Sequence, residues 1–279
     1  MQKYFAGKKW IILAAFVGIV PIVIWGAFER YLISVGKVMI DQNDEAGLAR
    51  LVKQRPRLAT YLLEETFKAD KKDLFIVLLA NKASAEKAVL TTKWGTYPFM
   101  LHIARNADLF WVSTALKYGA NPNAQWRNKT SPLSGALEGK RPENALAVIE
   151  AGADVNGRVS DRSFFDVAMT ERQFEPAYVL LQKGANPNAK TQKLKSGINC
   201  VVECYIPLPN YSKEQNEEVL SRDYFQSALA DPYFQKIVAW FRERDLDILN
   251  ATHTDPSGRT PGVWIIPSFQ SKETSTSEK

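Results

Sequence analysis

Three segments of this chain close on nearly the same words: LKYGANPNA around Gly119, IEAGADVNG around Gly152 and LQKGANPNA around Gly184, spaced 33 and 32 residues apart. Such a period constrains the fold strongly, because one short unit cannot bury its own apolar face and must stack on its neighbours. Counting back 21 residues from the second and third glycines reaches SPLSGA at Ser131 and SFFDVA at Ser163. Ser131 followed by Pro132 reads as an N-cap hydroxyl with proline at the first helical position, where its missing N–H costs nothing. The glycines then sit just past a second helix, where a left-handed residue ends it cheaply. Val148 with Ile149, and Val179 with Leu180 and Leu181, supply that helix's buried face. Ala136 and Ala168 are small where the first helix of each unit passes close to its neighbours.

This pattern resembles the ankyrin repeat, whose consensus runs T-P-L-H-x-A, two helices, then G-A-D-x-N. YPFMLHIA, from Tyr97, carries one extra residue, so the consensus His falls at Leu101 or His102. Degenerate copies extend the array. Asn43–Pro56 and Lys71–Lys82 match the second-helix spacing without its glycine, and Phe225–Arg242 reads as a further helix pair. Gly258–Pro261 looks like a hairpin leading into a repeat that never continues. The resemblance implies an all-α repeat solenoid of helix-turn-helix units with β-hairpin loops over 38–266, interrupted by an insertion near 190–217. The polar tail 267–279 reads as disordered.

Residues 10–28 carry no charge over nineteen positions, roughly the length that crosses a hydrocarbon core. An uncleaved transmembrane anchor is expected there, against a cleaved signal peptide or a buried core helix as alternatives. Lys3, Lys8 and Lys9 precede the segment, and the positive-inside rule keeps 1–9 as a cytoplasmic stub. The expected placement is therefore a single-pass inner-membrane protein with its repeat body in the periplasm.

Chemistry is thinly provided. Two histidines and two cysteines exclude a zinc-finger framework and a disulfide-rich mini-domain. The same three N-terminal lysines supply half of the formal charge of +6, so the body is too weakly basic for a nucleic-acid tracker. No nucleophile elbow, metalloprotease helix, P-loop or dinucleotide fingerprint occurs. His102 and His253 lack a visible nucleophile partner, and no enzyme, cofactor or metal is expected. Cys200 and Cys204 lie in the insertion. A structural disulfide, two free thiols, and a metal or redox role are the readings open to them.

Binding is the better-supported expectation. In ankyrin arrays the hairpin tips and the exposed side of the first helix form the binding face. Here the matching tip residues are Gln125, Trp126, Arg127, Asn128 and Lys129, then Arg158, Asp161 and Arg162, then Lys190 with Lys193 and Lys195. The first-helix candidates are Arg105, Glu138, Thr170 and Glu171. Trp126 is read either as a binding anchor or as a ring folded back on the next hairpin. Basic tips imply a protein partner with an acidic contact surface, ahead of anionic headgroups. By analogy, a membrane-tethered, periplasm-facing ankyrin protein resembles the immunity proteins that neutralise type VI phospholipase effectors. An envelope scaffold or assembly factor and a membrane sensor are the alternatives.

Overall fold

The computed structural model describes residues 26–93, 95–160, 162–187 and 227–244. The chain divides into two compact units, Met1–Phe99 and Met100–Lys279. The insertion with Cys200 and Cys204, Lys190, His253, the 258–261 hairpin and the tail lie outside the described residues.

In the first unit, helix α1 is described over 26–41. It is followed by α2 (Glu45–Gln54), α3 (Pro56–Lys68) and α4 (Lys72–Ala80), then by the antiparallel hairpin β1 (Val89–Thr92) and β2 (Gly95–Pro98). The Asp44 carboxylate caps α2 by accepting the Gly47 N–H at 2.8 Å, and Pro56 opens α3 at a position needing no N–H. Apolar residues at helical spacing, Leu58, Leu62 and Leu63 on α3 with Leu74, Phe75 and Leu78 on α4, close the core. Phe99 completes it, standing edge-on to Phe67 at 5.7 Å.

The second unit stacks helix pairs: α5 (Phe99–Asn106, counted here from Met100) with α6 (Leu109–Lys117), α7 (Pro132–Glu138) with α8 (Pro142–Glu150), and α9 (Phe164–Thr170) with α10 (Phe174–Gln182). A later helix, α11 (Pro232–Arg242), packs on α10. Within the stack α7 lies against α9, and α8 lies between α6 and α10. Short connectors join successive pairs: a single 3-10 turn at Arg127–Lys129, and the two-residue strands β3 (Arg158–Val159) and β4 (Arg162–Ser163).

Three details explain why the pairs repeat so regularly. Ser131 and Ser134 form a reciprocal capping box on α7, and Ser163 caps α9 through the Asp166 N–H. Gly119, Gly152 and Gly184 hold φ of +88°, +92° and +91°. At each, the glycine N–H and the following alanine N–H return to carbonyls in the last turn, as in Ala153 N–H to Val148 O at 3.2 Å. Finally, Asn123 and Asn156 stitch each loop to the next. The Asn123 amide donates to Gly152 O at 3.0 Å and accepts from the Asp154 N–H at 2.7 Å. Asn156 repeats this on Gly184 O and the Asn186 N–H.

The structure corrects the expected fold class and localisation in their membrane part. No helix among the described residues is long and apolar enough to cross a membrane. Most of the 10–28 segment lies outside the described residues. Its last three residues, Gly26 to Phe28, lie within the described part of α1, which also carries Glu29, Arg30, Lys37 and Asp41. This helix docks on α3: Lys37 pairs with Glu65 at 2.8 Å, and a Cβ on Gly36 would stand 2.6 Å from Leu62 Cδ1. The physical reason is that the described part of α1 carries four charged residues and buries Gly36 and Ile40 against protein, whereas a spanning segment carries few or none. The all-α repeat solenoid preceded by a transmembrane helix, and the single-pass inner-membrane placement, therefore give way to described residues that are mostly helical and include two short hairpins.

Candidate protein-binding face

The first tip, between α6 and α7, is pinned by its own backbone. The Trp126 N–H donates to Thr130 O at 2.8 Å and the Thr130 hydroxyl donates to Arg127 O at 2.9 Å. This closes the Arg127–Lys129 turn and pushes Gln125, Trp126, Arg127 and Lys129 to the surface. Trp126 is 43% exposed, and the Arg127 guanidinium carbon lies 5.6 Å from its ring centroid. The pair is thus a partly pre-ordered aromatic–cation unit on a rigid turn. The side chain of Asn128 lies outside the described residues.

The second tip is β3–β4, which packs against the Arg127–Lys129 turn. Arg158 and Arg162 flank its apex and are half-buried. Ser160 takes φ of +53° there, while Asp161 and Lys190 lie outside the described residues. Four of the expected tip cations, Arg127, Lys129, Arg158 and Arg162, are thereby brought onto two touching connectors.

The first-helix candidates are used differently. Arg105 pairs with Glu138 at 3.1 Å, and Lys140 pairs with Glu171 at 3.5 Å. The Thr170 hydroxyl donates to Asp166 O one turn back. Arg105, Glu138 and Glu171 therefore rivet neighbouring layers of the stack, each exposed pair contributing about 0–1 kcal/mol. A partner would have to break those pairs to use these residues. The tip offers its indole without that cost.

His102 is half-buried in α5, and desolvation lowers its pKa below the ordinary imidazole value. Among the described residues no group of three His, Cys, Asp or Glu side chains is placed to hold a metal. No protein-family model matches this chain, and no curated protein matches it.

Sequence reasoning missed two features. Lys140 was not singled out although it lies 31 residues before Glu171, close to one repeat period. A cleft of about 430 Å³ in the first unit, lined by Arg57, Tyr61, Glu64, Lys82 and Lys87 among others, was not foreseen either. Its one sequence signal is Arg57 and Tyr61, four apart on a single helix face.

Proposed function

We propose that this chain is a non-catalytic protein-binding module of the ankyrin type, gripping an acidic surface of its partner with the connector tips at 125–129 and 158–162. The observation that carries the reading is the exposed Trp126 with Arg127 against its ring, set on a turn that touches the Arg158–Ser163 hairpin. Trp and Arg are the residues that most often dominate interface energetics, and a rigid turn reduces the entropy lost on docking. Clustered cations then favour an acidic partner through encounter rate and specificity. In its most specific form the proposal is stoichiometric occlusion: an immunity protein covering the cleft of a secreted toxin such as a type VI phospholipase effector.

The test is affinity capture with the full chain, run beside Trp126→Ala/Arg127→Ala and Arg105→Ala. The tip double variant should lose the captured protein at unchanged melting temperature, and Arg105→Ala should retain it. Equal capture by the tip variant removes the tips from the binding role. For the specific form, an equimolar amount of the chain should abolish the captured toxin's lipase activity. Full activity in the complex rules out occlusion.

A further inference from the structure

The first unit carries a second charged surface, independent of the connector tips. Pro56, Arg57, Thr60 and Tyr61 at the start of α3 form one wall of a cleft of about 430 Å³, and Lys82, Ser84, Lys87, Ala88 and Val89 form the other. The walls are joined by the Ser84 N–H, which donates to the Thr60 hydroxyl at 3.0 Å. Its one acid, Glu64, is already committed. It accepts the Thr91 N–H at 2.7 Å and pairs with Lys68 at 2.5 Å. Arg57, Lys82 and Lys87 are all exposed. Two large apolar groups border the same cleft in the open, Tyr61 at 62% exposure and Val89 at 46%.

Lys82 adds a further sign. It follows α4 at φ of +68°, with Lys82 N–H to Leu79 O and Ala83 N–H to Leu78 O. This is the same helix ending that Gly119, Gly152 and Gly184 make. Lys140 makes the same ending after α7 at φ of +55°, and Lys82 is the one of the two that lines this cleft, so a cationic side chain stands there at a backbone conformation that favours glycine.

We infer that this cleft docks an acidic, partly apolar polypeptide segment of a partner protein, with Arg57, Lys82 and Lys87 meeting its carboxylates and Tyr61 and Val89 its apolar side chains. Charge complementarity sets the sign of the ligand. The two exposed apolar groups favour a peptide over a bare phosphate or a headgroup, neither of which would cover them. The size suits a few side chains rather than a folded domain.

The experiment uses the full chain and a short fluorescein-labelled peptide of repeated Asp-Leu-Glu-Phe, with a control peptide carrying Lys for each acid. The acidic peptide should bind in preference to the control, and weaken as salt is raised toward physiological ionic strength. Arg57→Gln/Lys82→Gln/Lys87→Gln should weaken it by about tenfold or more, whereas Trp126→Ala/Arg127→Ala should leave it unchanged. The latter arm separates this cleft from the tip reading. Should the triple variant melt early, Lys87→Glu alone serves, because it inverts one exposed charge. Equal affinity of the variant, equal affinity for the lysine peptide, or displacement of the peptide by inorganic phosphate or phosphatidylglycerol vesicles would each overturn the assignment.

Discussion

The two units differ in how the helix before a connector ends, and the difference decides what stands beside that connector. In the second unit the helices before each connector end in glycine, and Asn123 and Asn156 tie each connector to the next. In the first unit the corresponding ending after α4 is Lys82, and the residue four further on is Glu86, which has no amide to donate. Regular units thus hold their tips rigid and offer them side by side. In the first unit the Lys82 ending borders a cleft, whereas in the second unit Lys140 takes the same left-handed conformation and pairs with Glu171 of the next layer. Repetition yields a row of equivalent edges, and departure from repetition yields an individual site.

The largest effect that would sharpen this contrast is at Gly139. A Cβ there would stand 2.1 Å from the Arg105 carbonyl oxygen, a backbone atom that cannot swing away. Gly139→Ala should therefore cost about 3 kcal/mol, read as a lower urea midpoint. Gly36→Ala in the first unit meets only the end of the Leu62 side chain and should cost less. Similar losses at the two glycines would erase the distinction in packing.

Gly152→Ala comes next. Nothing lies within 4 Å of the added Cβ, so the cost is the left-handed backbone alone, about 1–2 kcal/mol. Its mirror image is Lys82→Gly, which should gain about 0.5 kcal/mol once the extra chain entropy of glycine is set against the relieved strain. The same change should weaken the acidic peptide. A variant that is both more stable and equally tight would show that Lys82 has no part in binding.

The smallest effect is the pH response of His102. Burial lowers its folded pKa, so the unfolded chain binds the proton more readily between that value and about 6.5. Stability from this residue is complete above the unfolded value and is lost as pH falls through the folded one. Melting curves from neutral to mildly acidic pH should fall less steeply for His102→Gln than for the parent chain. Identical slopes would show that the ring titrates as it does in the unfolded chain.

What the sequence disclosed follows the same line. Glycine and serine–proline signals are local, so helix ends at Gly119, Gly152 and Gly184 and the cap at Ser131 could be read from neighbouring letters alone. The pairing of Arg105 with Glu138 and of Lys140 with Glu171 spans adjacent units, and exposed charges look alike in sequence whether they face solvent or a neighbour. Trp126 and Arg127 were legible as tip residues because the repeat numbering places them past the glycine. The cleft was not, since it joins the start of α3 to a segment some 25 residues later that lacks the glycine marking a unit's edge. The uncharged run 10–28 was read by composition alone, which does not register that α1, described from residue 26, carries charge and docks by Gly36 and Lys37.

The central claim, that the connector tips are the gripping surface, is tested most directly by hydrogen exchange on the full chain with and without its captured partner. Amides of 125–130 and 158–163 should slow on binding, while those around Glu138, Lys140 and Glu171 keep their free rates. Protection confined to the first-helix layer, with the tips exchanging as before, would contradict it.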